Sequence, residues 1–238
     1  MAPATRRPGT GRAAGGKTGG KNSTAKTRAP ALDPVRLNAL TDAAAPEASG
    51  SFEGLLFDGR SLDGTDLQGS TFTECEFRSV SMTDTGLRGA RFLDCRFNGL
   101  YAPVFRAPRS TFRDVVLEGS RLGSAELYDN GWNSVHVDGG KLDFVNLRSS
   151  RLTDVLFSGC TIEELDLDGV QATRVAFRNC RIGSLNLSGA VLQDVDLRTT
   201  DFRSITHLPG LSGATVDDAQ LMMLAPLLAA NLGLRVEG

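Results

Sequence analysis

An apolar residue recurs at every fifth position of this chain from Phe52 to Phe202. All 31 of these central positions are apolar, and only Ala102, Ala107 and Ala172 are small. A period of five matches neither the two-residue period of a strand nor the 3.6-residue period of a helix. An internal repeat of this kind sets the architecture before any other signal is considered.

The residues two before each central position are mostly small or β-branched, as at Val80 and Val115. Two inward side chains spaced two apart follow strand alternation. The following three-residue step requires a corner, and glycine or small polar residues stand there. Similarity returns after twenty residues, as from Phe72 to Phe92. The pattern therefore predicts an all-β solenoid of about eight four-sided coils, which bury their apolar residues only by stacking.

The repeat resembles the pentapeptide-repeat family, whose motif is A(D/N)LxX. The best matching segments are 65–69, 125–127, 145–147, 165–169, 185–189 and 195–197. The resemblance spans about two-thirds of the chain. It implies a right-handed quadrilateral β-helix.

Composition divides the chain into four segments. Residues 1–32 carry seven Lys or Arg and no acid, with few large apolar groups, which predicts a disordered basic tail. Residues 33–50 form a predicted cap segment, because Asp33-Pro34 is typical of a helix start and Val35, Leu37 and Leu40 could share one helix face. The β-helix is expected over 51–207. A C-terminal cap or dimerisation helix is expected within 208–238.

Two interpretations of the basic tail remain open. It is either a solvated tail or an arm that makes weak, salt-sensitive contacts with nucleic acid. The segment 11–18 fits the P-loop pattern in every letter. A P-loop requires a buried strand before it and a helix after it, and neither is predicted here. We therefore interpret the match as coincidental low complexity.

The C-terminal helix is expected to begin at Thr215 or Asp217 and to stop at Gly233, with a kink or break at Pro226. It is apolar on nearly all sides, and a helix that only caps the rod needs one apolar face. We therefore expect a two-fold homodimer, and a monomeric cap is the alternative. The predicted dimer interface comprises Leu221, Met222, Leu224, Leu227, Leu228 and Leu232. The arrangement resembles that of gyrase-targeting family members, which dimerise through C-terminal elements.

The repeat changes its size pattern at residues 100–108. Alanine occupies two central positions there, and Leu100 and Phe105 stand two before them. This exchange keeps the core volume. Pro103 and Pro108 each remove a backbone donor. The sequence predicts a local bulge or kink with Tyr101 exposed.

The sequence offers little for catalysis, and we expect no enzyme activity, cofactor or metal. A solid rod lacks the pocket that convergent catalytic groups need. An enzymatic site would require a cleft near His207. The four cysteines all fall on inward positions and are expected to be reduced, with a cross-coil disulfide as the alternative. No membrane span or secretory signal is found, which favours the cytoplasm.

One row of outward corner positions is rich in acids. It lies two residues after the Phe72 column. Its acidic members, here called the acidic edge, are Glu74, Asp94, Asp114, Asp154 and Asp194. Two interpretations remain open. Asp at a corner accepts local backbone amides. Alternatively, the edge binds a partner by imitating the phosphate backbone of DNA.

The functional expectation follows from the resemblance. Gyrase-targeting family members are similar rods that occupy the DNA-binding saddle of the enzyme. We therefore expect a non-enzymatic rod that modulates DNA gyrase or another type II topoisomerase by DNA mimicry. The net charge over residues 51–207 is −5. This charge per unit length is too low for the whole rod to imitate DNA, because duplex DNA carries one charge per roughly 1.7 Å. The alternative is a structural or adaptor rod for an unrelated protein.

Overall fold

A parallel β-solenoid of about eight coils forms the body of the protein. The computed structural model describes residues 26–44, 46, 48–235 and 237. Its strands are β1 Thr41–Asp42, β2 Ser51–Glu53, β3 Leu55–Asp58, β4 Thr71–Thr73, β5 Glu76–Arg78, β6 Arg91–Asn98, β7 Tyr101–Arg106, β8 Thr111–Glu118, β9 Arg121–Glu126, β10 Gly131–Asp138, β11 Lys141–Asn146, β12 Arg151–Ser158, β13 Thr161–Asp166, β14 Gln171–Arg178, β15 Arg181–Asn186, β16 Val191–Asp196, β17 Asp201–Thr206 and β18 Ala214–Thr215. A 3₁₀ turn Leu208–Leu211 follows β17, and the helix α1 Asp218–Asn231 follows β18.

From β2 to β17, each strand pairs in parallel with the strand twenty residues away, whereas the terminal strands β1 and β18 pair at separations of 14 and 19 residues. The register joins Phe92 to Phe112 and Phe112 to Trp132, and it stays at twenty through the repeat. Strands β1 to β6 and the even-numbered strands after them form a 12-stranded sheet, and β7, β9, β11, β13, β15 and β17 form a six-stranded sheet. The predicted coil length is therefore confirmed.

The central residues of the pentapeptides form one continuous core. All of them from Phe57 to Leu197 are buried, and the two terminal ones, Phe52 and Phe202, are partly buried. Phenylalanines in the same column stack between coils, with ring centroids 4.6 Å apart for Phe77 and Phe97. Because each ring covers the next, no coil buries its own apolar surface alone.

The corners lie in the left-handed region of backbone conformation. Residues two after the central positions adopt φ between about 49° and 70° at most corners, whether they are glycine or not. Such a conformation is strained for residues that carry a Cβ, although Asp and Asn tolerate it best. At Gly213, which has φ +87°, an added Cβ would lie 2.0 Å from the Leu192 carbonyl oxygen. This turn can therefore accept only glycine.

The proline segment contains no bulge, which corrects the prediction. Strand β7 pairs with β9 in the usual register, from Tyr101 with Arg121 to Arg106 with Glu126. Pro103 follows the central residue Ala102, and the equivalent residues of the neighbouring coils also make no ladder pair. The missing N–H of Pro103 therefore removes no hydrogen bond of the sheet. The exposure of Tyr101, at 52%, is as predicted.

The N-terminal cap helix is also a wrong prediction. Residues 26–40, here called the strap, contain no helix and no strand. Strand β1 follows and pairs Thr41 with Leu55, and Ala43 is buried in the core. Residues 26–32 lie against the rod instead of forming part of a disordered tail. The P-loop-like segment 11–18 lies outside the described residues.

Helix α1 closes the C-terminal end of the solenoid. Asp217 is its N-cap, and Gln220 completes a capping box with it. The Gln220 side-chain amide also donates 2.7 Å hydrogen bonds to the carbonyl oxygens of Leu197 and Thr200 in the last coil. The helix runs through Pro226 without a break and ends before Gly233, which has φ +70°. The predicted start and stop are confirmed, and the predicted split is wrong.

Candidate partner-binding edge

The acidic edge forms one row along the rod. Its residues lie at equivalent corners of successive coils, with φ between 50° and 55°. Ser134 and Arg174 occupy the same row, where the acids are interrupted. The predicted alignment of Glu74, Asp94, Asp114, Asp154 and Asp194 therefore follows directly from the twenty-residue register.

The strap runs along this row and contacts it repeatedly. Arg28 binds Asp194 through its backbone amide at 3.2 Å, through Nε at 2.8 Å and through Nη2 at 2.7 Å. The Ala31 amide donates to Asp154 Oδ1 at 2.9 Å.

Two further contacts extend the strap to the N-terminal end of the rod. The Asp33 amide donates to Ser134 Oγ at 2.8 Å, and the Asn38 side-chain amide donates to Glu74. The strap therefore runs antiparallel to the direction in which the coils advance.

The spacing of these contacts shows that the strap is an extended segment. Six coils separate Asp194 from Glu74, which is about 29 Å at roughly 4.8 Å per coil. Ten residue steps separate their partners Arg28 and Asn38. The resulting rise of about 2.9 Å per residue is close to that of polyproline II. Pro30 and Pro34 favour this conformation.

Arginines neutralise the C-terminal part of the acidic edge. Arg174 donates two hydrogen bonds to Asp154, at 2.6 and 2.5 Å, and these hold the pKa of Asp154 below its ordinary value. Arg28 lowers the pKa of Asp194 by its hydrogen bonds. Asp154 is only 8% exposed, so its charge depends on these partners.

The middle of the acidic edge keeps more of its negative character. Burial raises the pKa of Asp94, and the carboxylates of Asp114 and Glu74 raise it further. Asp114 Oδ1 is buried and accepts no hydrogen bond from any described residue. The nearest cation to this carboxylate is Arg113, with Nε 3.6 Å from Oδ2. This stretch lacks full compensation even with the strap in place.

An apolar column lies beside the acidic edge. Leu156 and Ala176 occupy outward positions of the coils, yet they are 9% and 1% exposed. Asp154, two residues before Leu156, accepts the Ala31 amide of the strap. Further along, Leu32 and Val35 form one wall of a cavity of about 300 Å³, and Arg96 and His136 line the rod side.

Sequence reasoning missed the strap, although it located the acids that the strap contacts. The available signal was Arg28 followed by Pro30 and Pro34, within a segment that alternates apolar and polar residues. Pro30, Leu32, Val35, Leu37 and Leu40 are half-buried, and the residues between them are exposed. This is the pattern of an extended segment on a surface, not of a helix.

The C-terminal helix leaves most of the predicted dimer residues at the surface. Leu221, Met222, Leu227 and Leu232 are exposed, and Leu228 is half-buried. Leu224 is 4% exposed within its own chain, so it serves the cap and is not available to a partner.

The cysteines and histidines of the described residues lie in the core or contact neighbouring polar side chains. Cys75, Cys95, Cys160 and Cys180 are free and buried, as predicted, and burial raises the pKa of the Cys95 thiol. His136 is hydrogen-bonded to Ser158 Oγ, and His207 contacts Asn186 at the end of the rod. Among the described residues, no group of three or more His, Cys, Asp or Glu could hold a metal ion. No described helix is long and apolar enough to cross a membrane.

We expect the strap to loosen in acid. The pKa values of Asp154 and Asp194 are lowered in the folded protein, so their contribution is complete above the ordinary value of 3.8 and is lost as the pH falls through the lowered values. The raised pKa of Asp94 acts in the opposite direction and offsets part of the loss. Amide hydrogen exchange of Ala31, corrected for intrinsic rate, should show constant protection from pH 7 to about 4.5 and less protection below about 3.8. Unchanged protection at pH 2.5 would contradict this expectation.

Comparison with known proteins agrees with this geometry. The family model described as "Pentapeptide repeats" matches eight copies within residues 61–99. The same five-residue register continues through the coils on both sides of that segment. Residues 61–99 therefore carry the repeat of the pentapeptide-repeat family.

Similar solved structures include QnrB1 and HetL, of which HetL is described as a pentapeptide repeat protein. A trypsin-treated variant of QnrB1, described as a plasmid-mediated fluoroquinolone resistance protein, is 18% identical with a TM-score of 0.44, over 80% of this chain and 93% of that one. HetL from the cyanobacterium Nostoc, described as involved in heterocyst differentiation regulation, is 18% identical with a TM-score of 0.34, over 73% and 92%. No curated protein sequence matches. Likeness at this level does not identify a partner.

Proposed function

We propose that this pentapeptide-repeat protein is a non-enzymatic rod that binds another macromolecule through its acidic edge. The observation that carries the proposal is the row of carboxylates, one or two coils apart, of which Asp94 and Asp114 remain without full charge compensation. A partner with a basic surface would supply that compensation. The repeat holds the row on a rigid scaffold, so binding needs no reorganisation of the coils.

The most specific form of this proposal is modulation of DNA gyrase or another type II topoisomerase by DNA mimicry. Five carboxylates at corners of one edge, one or two coils apart, present a row of negative charge to a DNA-binding saddle. The strap neutralises Asp194 and covers Asp154, so the complete row becomes available only when the strap leaves. We also propose that a second copy covers the exposed apolar surface of α1, which would double the length of the rod.

A gyrase supercoiling assay tests this form at fixed salt. The expected result is inhibition at micromolar protein or below. The variant with Asp94, Asp114, Asp154 and Asp194 all replaced by asparagine should lose the inhibition while its circular dichroism keeps the β signal. Asparagine is chosen because it tolerates the left-handed corners.

A second candidate function is an adaptor rod for an unrelated protein. The cover that the strap provides over the acidic edge favours it, because an edge already occupied is a poor DNA mimic. Absence of inhibition at tens of micromolar protein, or inhibition that survives the fourfold asparagine variant, would favour the adaptor and exclude mimicry by the acidic edge.

A further inference from the structure

The strap contacts the rod in the manner of a bound peptide. Three of its backbone amides, those of Arg28, Ala31 and Asp33, donate to side chains of the rod and not to a neighbouring strand. Recognition through backbone amides together with alternate apolar side chains is the usual way in which extended peptides are bound.

The rod forms a built site for this segment. Asp154 and Ser134, which accept strap amides, are 8% and 4% exposed. Their other neighbours hold them in place, since Arg174 binds both oxygens of Asp154. Near Ser134, Val116 of the rod lines a cavity together with Leu32 and Val35 of the strap, which gives the strap side chains an apolar surface. Charge, hydrogen-bond acceptors and apolar surface therefore lie in one groove along the rod.

The solenoid core is complete without the strap. The buried core cluster begins at Ala43, and no strap residue belongs to it or to the partly buried residues packed against it. Strand pairing of the rod likewise begins at Thr41. The strap can therefore leave without opening the core, in contrast to any single coil, which would expose aromatic rings.

The strap also matches the groove imperfectly. It places Arg28 on Asp194, and Arg36 interacts with Asp94 over a longer distance. Asp114 Oδ1 receives no hydrogen bond among the described residues. A competing segment with one more basic side chain at this point would satisfy a carboxylate that the strap leaves uncompensated.

We infer that this groove is a binding site for extended, arginine-bearing peptide segments, and that the strap is its tethered, exchangeable occupant. The tether gives the strap an effective concentration in the millimolar range, so a competitor must bind more tightly than an isolated strap peptide does. Exchange uncovers the residues of the row that the strap contacts, namely Asp194, Asp154 and Ser134. Peptide binding in this groove does not require any effect on a topoisomerase.

The experiment separates the strap from the rod in the folded protein. A site-specific protease sequence is inserted between Leu40 and Thr41, so that β1 and the core residue Ala43 stay with the rod, and the purified full chain is cleaved after folding. We expect the N-terminal fragment to dissociate on dilution while the rod keeps its circular dichroism. A fluorescent peptide of residues 26–40 should then bind the rod, as measured by anisotropy. Loss of the β signal when the fragment leaves, or failure of the fragment to exchange against a thousandfold excess of peptide, would overturn the inference.

A double-mutant cycle tests the arginine contact. Asp194→Asn in the rod and Arg28→Ala in the peptide should each weaken binding about tenfold, and together hardly more than either alone. The matched control is Asp129→Asn, because Asp129 also occupies a left-handed corner and pairs with an arginine, but on another edge. It should change affinity less than twofold. Equal effects of Asp194→Asn and Asp129→Asn would show non-specific charge attraction and refute a built groove.

Discussion

Replacement of Phe77 by alanine is expected to lower the free energy of unfolding by about 3–5 kcal/mol. Its ring is fully buried and stacks on Phe57 at 4.8 Å and on Phe97 at 4.6 Å. It also meets the edges of Phe72 and Phe92. Removal of the ring therefore breaks two stacks at once and leaves a cavity between coils whose backbone ladders cannot close on it. Urea unfolding followed by circular dichroism measures the effect.

The control for Phe77→Ala is Tyr101→Ala, which removes a half-exposed ring and should change stability by less than about 0.5 kcal/mol. Because stacked coils contact only their neighbours, Phe77→Ala should also lower the urea m-value if the N-terminal coils unfold before the rest. A loss below about 1 kcal/mol with an unchanged m-value would show that the coils repack around the gap.

The architecture was predictable because one signal is repeated many times. A single pentapeptide says little about its own conformation. The register from Phe52 to Phe202, however, fixes which side chains point inward in every coil. Even the exchange of sizes at Ala102 and Phe105 left both buried in the usual register. Pro103 had predicted a bulge, but the coils stacked on both sides determine the backbone conformation there and keep the strand regular.

The strap was not predictable by the same means. Its conformation depends on Asp154, Ser134 and Asp194, which lie far away in sequence, and not on any period of its own. The Asp33-Pro34 signal is compatible with either a helix start or an extended chain, and only the tertiary surface decides between them. Conversely, the acidic edge was predictable as a row, because register alone aligns it. Its occupation was not, because that depends on the strap.

The occupied acidic edge changes how its charges should be interpreted. Corner acids were expected either to serve local turns or to face a partner. In the structure, Asp154 and Asp194 accept hydrogen bonds from the strap, which is distant in sequence, whereas Asp66 accepts the amide of Gln68 two residues on. The two roles therefore separate by edge. Acids that meet the strap hold that segment against the rod, and Asp66 stabilises the turn that follows it.

Asp154 is the position at which the acidic edge is most sensitive to substitution. Asp154→Asn is expected to lower the free energy of unfolding by about 2 kcal/mol, because it removes the charge that compensates Arg174 and weakens the hydrogen bond from the Ala31 amide. Asparagine, like aspartate, tolerates the φ of +55° at this corner, so backbone strain does not contribute to the loss of stability. Urea unfolding measures the loss, and amide exchange at Ala31 shows whether the strap loosens first.

Asp129→Asn is again the matched control for this prediction. Asp129 has φ +57° and pairs with Arg109 at 3.3 Å, but its side chain is 42% exposed and it lies on a different edge from the residues that bind the strap. Exposed pairs of this kind contribute about 0–1 kcal/mol, so its loss should be hard to measure. Faster exchange at Ala31 in Asp154→Asn alone would show that the buried carboxylate holds the strap. Equal stability losses in the two variants, with Ala31 unchanged, would mean that the strap is held elsewhere along the groove.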